Sequence, residues 1–243
     1  MIVGEWEDMW YRVLKYVLMG PALRVFGRPK VEGLENLPAT GAAILASNHL
    51  AVVDSFYLPL MVPRRMYFLA KSEYFTGTGA KGAFQRWFFN ASSQIPIDRT
   101  GADAAAGALV AAKRKLDTGA LMAMYPEGTR SPDGRLFKGK TGLARIAMEC
   151  GVPVVPIAMI GTSQVNPPGT TIPRFGRVTV KIGKPLDFSR YEGMEGNRFI
   201  ERAVTDEIMY ELMHLSGQQY VDVYAASLKE QGQPPATNTS PAA

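Results

Sequence analysis

The chain alternates between apolar runs that predict buried strands and longer segments with helical periodicity. The predicted strands lie at 30–34, 42–46, 66–70, 94–99, 120–125, 152–160 and 177–182. The predicted helices lie at 55–62, 103–116, 141–149, 197–216 and 218–229, and Phe84, Trp87 and Phe88 add a further helical face. Strands that alternate with helices form parallel sheets covered on both faces. We therefore predict a single-domain α/β fold in which a largely parallel sheet is flanked by helices.

The first 28 residues have a different pattern, that of an amphipathic helix. Trp6, Trp10, Val13 and Val17 recur on one side of this helix, whereas Glu5, Asp8, Arg12 and Lys15 recur on the other. Such a helix is typical of a segment that lies in the plane of a membrane interface, although a helix packed on the protein's own core has the same pattern. It does not predict a membrane span, because only eight uncharged residues separate Lys15 from Arg24 and about 20 are needed.

These patterns divide the chain into three regions. We predict a membrane-interface helical segment at 1–28, an α/β domain at 29–230 and a disordered tail at 231–243, where apolar residues are scarce. The first residues include Glu5 and Glu7 rather than the basic start of an export signal. Together with the single cysteine, this start predicts a peripheral membrane protein on the cytoplasmic face of the cell membrane.

Composition narrows the classes of ligand. The 243 residues include 27 basic and 22 acidic side chains, a net charge of +5, which suits phosphate-bearing ligands or an anionic membrane. No dense block of basic residues is present, so nucleic acid is not an expected partner. A single cysteine, Cys150, excludes an internal disulfide, and two distant histidines, His49 and His214, make a metal site unexpected.

The stretch 48–54, NHLAVVD, contains the strongest candidate for chemistry. Histidine is a neutral base near pH 7, and a nearby aspartate can orient its ring. On one regular helix His49 and Asp54 would point roughly 140° apart and would not meet. With His49 in the turn before a helix and Asp54 in its first turn, the carboxylate reaches the imidazole. In the alternative reading, His49 merely ends a strand and Asp54 merely favours a helix N-terminus.

Polar side chains follow several predicted strands. They are His49 with Asp54, Lys71, the pair Asp98-Arg99, and the run Glu127-Gly128-Thr129-Arg130. Ligands of open α/β sheets bind beyond the carboxyl ends of the strands, so these groups are expected to converge. Lysine and arginine bind phosphate oxygens, and Gly128 would allow close approach of the backbone. The set fits a reaction at the hydroxyl of a phosphate-bearing molecule.

At these residues the chain resembles the PlsC-type glycerolipid acyltransferases, which include the 1-acylglycerol-3-phosphate (lysophosphatidic acid) acyltransferases. The family has four blocks in fixed order, and their counterparts here are 48–54 (NHLAVVD), 94–99 (QIPIDR), 125–131 (YPEGTRS) and 152–158 (VPVVPIA). The resemblance covers roughly 40–185. Ala51 and Gln94 depart from the family's usual residues, which affects substrate detail rather than the reaction.

The resemblance implies a role for each site residue. His49 would be the general base and Asp54 the residue that orients it, and Arg99 would lie near the acceptor. Lys71 would face the acceptor phosphate, and Glu127, Gly128, Thr129 and Arg130 would form its pocket. The free hydroxyl of a lysophospholipid would attack an acyl thioester, acyl-CoA or acyl carrier protein, without a cofactor. The family's N-terminal helical segment binds the membrane, which favours the interfacial reading of residues 5–27.

Rival readings remain. Residues 134–141, GRLFKGKT, satisfy the P-loop pattern, but they do not directly follow a predicted strand and their interior is bulky, so nucleotide hydrolysis is disfavoured. Lys138 and Lys140 in this stretch are expected at the solvated surface, with attraction of anionic ligands as the alternative interpretation. A non-catalytic lipid-binding protein would keep the pocket, and glycerol 3-phosphate or another lyso-lipid would suit the same chemistry.

Overall fold

The computed structural model describes residues 3–98, 104–167, 169–170 and 172–230. Within these residues a seven-stranded sheet has the order β1-β8-β7-β2-β5-β3-β4, and a small two-stranded sheet pairs β6 with β9. The strands are β1 Lys30–Glu32, β2 Ala43–Ser47, β3 Met66–Lys71, β4 Gln94–Ile97, β5 Leu121–Met124, β6 Leu136–Phe137, β7 Val154–Ile160, β8 Thr179–Ile182 and β9 Tyr220–Val221. β7 and β8 pair antiparallel, and the other pairs in the large sheet are parallel.

Helices cover both faces of the sheet. They are α1 Val3–Arg12, α2 Gly20–Gly27, α3 Asp54–Met61, α4 Gly79–Ala91, α5 Ala104–Leu116, α6 Gly142–Cys150, α7 Thr162–Val165, α8 Arg198–Ser216 and α9 Ala225–Glu230, with a π-helical segment, Val13–Leu18, between α1 and α2. The predicted α/β fold with a largely parallel sheet is confirmed. The domain limits stay a prediction, and the tail at 231–243 lies outside the described residues.

The alternation of side chains along β2 explains why its sequence is apolar throughout. Ala43 and Leu45 lie in a core cluster with Tyr57 of α3. Ile44 and Ala46 point the other way, into a cluster that contains residues of α5, α6 and α8. Because both faces are covered, every residue of β2 is buried.

The topology brings the predicted polar groups to one edge of the sheet. β2, β5, β3 and β4 are consecutive neighbours and run parallel, so their carboxyl ends lie on the same side. Asn48 follows the end of β2, Tyr125 follows the end of β5, and Lys71 is the last residue of β3. This edge is where open α/β sheets bind ligands.

The N-terminal segment, residues 3–27, packs on α3. Lys15 Nζ donates to the carbonyl of Val62 at 2.6 Å, and Tyr57 Oη donates to the carbonyl of Leu23 at 3.0 Å. Lys15 is therefore buried, and its predicted place on the polar, outward side of the helix is wrong. The π-helical turn shifts the phase of the side chains, and the carbonyl at the C-terminus of α3 attracts the ammonium group. Burial lowers the pKa of Lys15.

The N-terminal segment exposes large apolar residues alongside the charged Asp8, Arg12 and Arg24. Trp6, Met9, Val17, Leu18 and Val25 are exposed large apolar residues. Across the parts of the chain that the structure describes, none of the helices has the length and hydropathy required to cross a bilayer.

The helix predicted at 218–229 is wrong in its first half. Tyr220–Val221 forms β9, and α9 begins only at Ala225. The backbone of this segment pairs with β6, which is too short, at two residues, to be visible in the sequence pattern. Leu136 N–H donates to the carbonyl of Gln219 at 2.9 Å, and Lys138 N–H donates to the carbonyl of Val221 at 3.1 Å. A tertiary partner thus overrides the local helical pattern.

Candidate active site

His49 and Asp54 meet across the turn between β2 and α3. Because Asp54 is the first residue of α3, its side chain points back toward the end of the strand. Oδ2 of Asp54 lies 2.9 Å from Nδ1 of His49. A carboxylate only accepts hydrogen bonds, so Nδ1 carries the proton and Nε2 is left with its lone pair. The pair has the geometry of a neutral base with an orienting acid.

Asp54 is fixed by the backbone of its own turn. The same oxygen, Oδ2, also accepts the N–H groups of Leu50 at 2.7 Å and Ala51 at 2.8 Å. The carboxylate is completely buried. Three hydrogen-bond donors aimed at one oxygen hold the side chain in one position. The turn therefore sets the position of Asp54 before any ligand arrives.

Glu127 joins the turn after β2 to the turn after β5. Its Oε1 accepts the backbone N–H of His49 at 3.1 Å, and its Oε2 accepts the N–H of Phe137 at 3.0 Å. A second hydrogen bond joins the same two turns, with its donor after β5 and its acceptor after β2: Ser131 N–H donates to the carbonyl of His49 at 2.7 Å. The side chain of Glu127 is buried, so its contribution to the site is to position backbone.

Asn48 fastens the same turn on its other side, to β7. Its Oδ1 accepts the N–H of Met159 at 2.7 Å, and its Nδ2 donates to the carbonyl of Met159 at 3.0 Å and to Oε1 of Gln218 at 2.6 Å. Asn48 is fully buried. These bonds show why the residue before the histidine is an amide, a role that the sequence pattern did not reveal.

Tyr125 lies against the catalytic candidate. Its ring is stacked on the imidazole of His49, with centroids 3.8 Å apart and planes 9° from parallel. The phenol oxygen lies 2.9 Å from Oγ of Ser55, the residue after Asp54. Burial, reinforced by the charge of Asp54, raises the pKa of Tyr125, so the phenol stays protonated. The sequence pattern did not assign Tyr125 a role at the site, although Tyr125 is the first residue of the block at 125–131.

The structure describes most, but not all, of the residues predicted to bind the acceptor phosphate. Lys71 is exposed at the end of β3, and Arg130 and Gly128 are exposed on the turn after β5, with Thr129 half-buried beside them. The structure thus places these four residues on the same edge of the sheet as His49. Arg99 lies outside the described residues, and its role stays a prediction.

Lys140 is exposed, as the sequence predicted, and its side chain also lies beside Gly128 at this site. A Cβ atom on Gly128 would lie 3.2 Å from both Cδ and Cε of Lys140 and 3.4 Å from its Nζ. Gly128 has a φ of +72°, and the lysine side chain runs across it. Lys140 is anchored by its N–H, which donates to the carbonyl of Pro126 at 2.8 Å. Lys138, by contrast, is paired with Asp222 at 2.9 Å.

A mainly apolar cavity lies between the N-terminal segment and α3. It is lined by residues of the N-terminal segment, including Tyr11, Leu14 and Leu23, and by Phe56 and Leu60 of α3. Ser55 also borders it, so the cavity reaches the residue that holds the phenol of Tyr125.

Comparison with known proteins defines the class. The sequence profile described as "Acyltransferase" matches residues 28–160. The chain therefore belongs to the acyltransferase family. The crystal structure of the 1-acyl-sn-glycerophosphate (LPA) acyltransferase PlsC from Thermotoga maritima is similar, with a TM-score of 0.59 and 28% sequence identity over 84% of this chain and 78% of that one. The predicted resemblance to the PlsC type is thereby confirmed.

Curated relatives have the same kind of name. The chloroplastic 1-acyl-sn-glycerol-3-phosphate acyltransferase LPAT1 of Arabidopsis thaliana is 34% identical over 68% of this chain and 45% of its own length. The 1-acyl-sn-glycerol-3-phosphate acyltransferase of Bacillus subtilis (strain 168) is 27% identical over 79% of this chain and 94% of its own length. The chain spans about half the length of the plant relatives that it matches.

Proposed function

We propose that this chain transfers an acyl group from an acyl thioester to the free hydroxyl of 1-acylglycerol 3-phosphate, which yields phosphatidic acid. The observation that carries the proposal is the contact between His49 Nδ1 and Asp54 Oδ2 at 2.9 Å, in a family of acyltransferases. The names of the relatives support the choice of acceptor.

The pair of His49 and Asp54 accounts for the transfer of the proton from the acceptor hydroxyl. Nε2 of His49 removes the proton of the acceptor hydroxyl as the oxygen attacks the thioester carbonyl. Asp54 stabilises the imidazolium that forms. When the tetrahedral intermediate collapses, the carbon–sulfur bond breaks, and the imidazolium returns the proton to the leaving thiolate. The histidine ends the cycle neutral, so no acyl-enzyme and no cofactor are required.

Cations beside the dyad would hold the acceptor phosphate. Lys71, Arg130 and Lys140 supply positive charge at the edge of the sheet where His49 lies, and Arg99 and Thr129 complete the proposed set. A phosphate held there would place the glycerol hydroxyl near Nε2, which converts a bimolecular attack into a positioned one. Glu127, whose carboxylate would repel phosphate, contributes by holding the backbone of both turns.

The membrane would supply the acceptor. We propose that the outer face of the N-terminal segment, with Trp6, Val17 and Val25 exposed, lies on the cytoplasmic face of the cell membrane. The apolar cavity beneath this segment would take acyl chain, from a donor that is acyl-CoA or acyl carrier protein. Binding to anionic vesicles should fall for Val17→Asp and not for Phe199→Asp, a matched change at an exposed residue of α8.

The experiment that tests the chemistry uses the two histidines. His49→Ala is expected to lower kcat by about 1,000-fold or more while lipid binding persists. His214→Ala is the matched control, because His214 is exposed on α8 and packs only on Tyr210 among the rings of the described residues. Equal transfer by His49→Ala and the wild type would refute the base assignment.

The acceptor is tested separately. The full chain is assayed with 1-acylglycerol 3-phosphate, glycerol 3-phosphate and a lyso-lipid that lacks a phosphate monoester, each with acyl-CoA and with acyl carrier protein. The highest kcat/KM is expected for 1-acylglycerol 3-phosphate. A preference for glycerol 3-phosphate or another lyso-lipid would keep the reaction and change its substrate. No transfer to any acceptor would favour a non-catalytic lipid-binding protein.

A further inference from the structure

We infer that Tyr125 is a positioning residue for His49: its ring fixes the plane of the imidazole, and Ser55 fixes the ring. This inference rests on the proposed function, in which His49 is the base. The stack is close, with centroids 3.8 Å apart and planes 9° from parallel. Neither side chain contacts the other through a hydrogen bond, so the contact acts by shape and by the charge distribution of the ring.

The imidazole needs a second constraint because Asp54 supplies only one. The hydrogen bond at 2.9 Å fixes the place of Nδ1 but permits the ring to tilt about the Nδ1–Oδ2 direction. The torsion that turns a histidine ring is broad, with shallow wells. A flat ring parallel to the imidazole removes this freedom. Nε2 is thereby held in one direction.

Four residues close a loop of contacts around the base. His49 bonds to Asp54, Asp54 precedes Ser55 in the chain, Ser55 bonds to the phenol of Tyr125 at 2.9 Å, and Tyr125 stacks on His49. The loop joins α3 to the end of β5. A displacement of either element thus changes the direction in which the base points.

The ring also suits the charge that develops during transfer. His49 becomes a cation when it takes the proton, and the face of an aromatic ring attracts a cation. A phenol that stays neutral keeps this face negative. The stacked ring is therefore compatible with the positive charge that His49 carries during transfer, in addition to orienting the imidazole.

The test separates the ring from the hydroxyl. Tyr125→Leu removes the ring, and Tyr125→Phe keeps the ring but loses the bond to Ser55. We expect Tyr125→Leu to lower kcat by about 10-fold to 100-fold with both KM values nearly unchanged, since displacement of a reacting group by about 1 Å has effects of this size. For Tyr125→Phe we expect kcat to stay within about threefold of the wild-type value. We expect Ser55→Ala to have the same kcat as Tyr125→Phe.

A readout that does not need turnover accompanies the kinetics. In protein with labelled histidine, the ring resonances of His49 should move downfield in Tyr125→Leu, because the shielding by the stacked ring is lost, and should stay in place in Tyr125→Phe. The resonances of His214, which packs on Tyr210, are the internal reference. These shifts are measurable even if the wild type transfers no acyl group, so failure of the proposed function and failure of the stack are distinguishable.

Two results would overturn the inference. One is wild-type kcat in a folded Tyr125→Leu protein; the other is an unchanged His49 resonance in that variant. If the leucine variant does not fold, Tyr125→Met, which fills a similar volume without a ring, takes its place with the same expectations. If neither folds, the wild type decides: a nuclear Overhauser effect between the rings of Tyr125 and His49 supports the stack, and its absence refutes it.

Discussion

The aspartate in the turn after β2 takes its hydrogen bonds from within that turn, whereas the stretch that follows β5 is held by distant parts of the chain. In the first, Asp54 bonds to His49, Leu50 and Ala51, all within five residues. In the second, the stretch that ends at Lys140 is held by Arg202, whose Nη1 donates to the carbonyl of Gly139 at 2.8 Å. It is also held by the ion pair of Lys138 with Asp222.

The difference follows from what each turn has to hold. A base must be placed to within a fraction of an ångström, and short hydrogen bonds between near neighbours achieve this at little cost in chain entropy. A phosphate is large and carries charge on several oxygens, so cations from separate strands can surround it. Defects in the first turn should therefore lower kcat, and defects in the second should raise KM for the acceptor.

The sharpest test of the first turn is Asp54→Asn. The amide keeps the size of the side chain but cannot stabilise the imidazolium, so we expect kcat to fall by about 1,000-fold to 10,000-fold while KM changes little. The measurement is steady-state transfer at saturating acceptor. Asp187→Asn, at an exposed carboxylate that bonds to Ser189, is the control and should leave kcat unchanged. A rise in KM alone would contradict the division between the two turns.

Glu127→Gln tests the link between the turns. The amide has one acceptor oxygen, so either the N–H of His49 or that of Phe137 loses its partner in a buried site. We expect the free energy of unfolding to fall by about 1–3 kcal/mol and kcat and KM to worsen together, measured by urea unfolding and by transfer assays. Glu149→Gln, which only weakens an ion pair with Arg145 on α6, should change the free energy of unfolding, kcat and KM very little. A change confined to one kinetic constant would show that the turns act separately.

The free energy of unfolding at alkaline pH tests whether Tyr57 of α3 and Tyr11 of the N-terminal segment are buried in solution. Burial raises the pKa of Tyr57 and that of Tyr11 to about 12. Between pH 10 and about 12 the unfolded chain loses these protons and the folded chain keeps them, so the free energy of unfolding falls as pH rises, by about 1.4 kcal/mol per pH unit for each phenol.

The slope of the free energy of unfolding against pH shows whether Tyr57 is responsible for the decline. Urea unfolding measured in steps from pH 9 to pH 12 should give a shallower decline for Tyr57→Phe, by the share of one phenol. Tyr16→Phe, at an exposed tyrosine of the same segment, should keep the wild-type slope. An identical slope in Tyr57→Phe would mean that this phenol is not buried in solution.

The smallest effect is expected at the second turn. Lys140→Gln removes one of several cations, so KM for 1-acylglycerol 3-phosphate should rise by about threefold to tenfold with kcat unchanged. Lys138→Gln is the matched control, because Lys138 is two residues away and already paired with Asp222. Equal effects in the two variants would point to general electrostatic attraction rather than to a contact at Gly128.

The sequence by itself determined the fold class and the pairing of His49 with Asp54. Strands buried on both faces are apolar at every position, as β2 is, and such runs are visible without a structure. The histidine and aspartate are five residues apart at a strand-to-helix junction, so a turn between them lets the two side chains meet. The four blocks of the family resemblance supplied the rest of the candidate set.

Only the tertiary structure decided what surrounds that pair. Tyr125 stacks on a residue 76 positions away, a contact that exists because β2 and β5 are neighbours in the sheet. Lys15 is buried although it reads as a surface lysine in the sequence, and Lys140 is at the surface but lies beside Gly128, which the sequence does not show. A periodic pattern reports which face of an element is apolar, but it does not report which other element will meet that face. Contacts between residues far apart depend on strand order and on the path of the turns, which the whole chain sets when it packs.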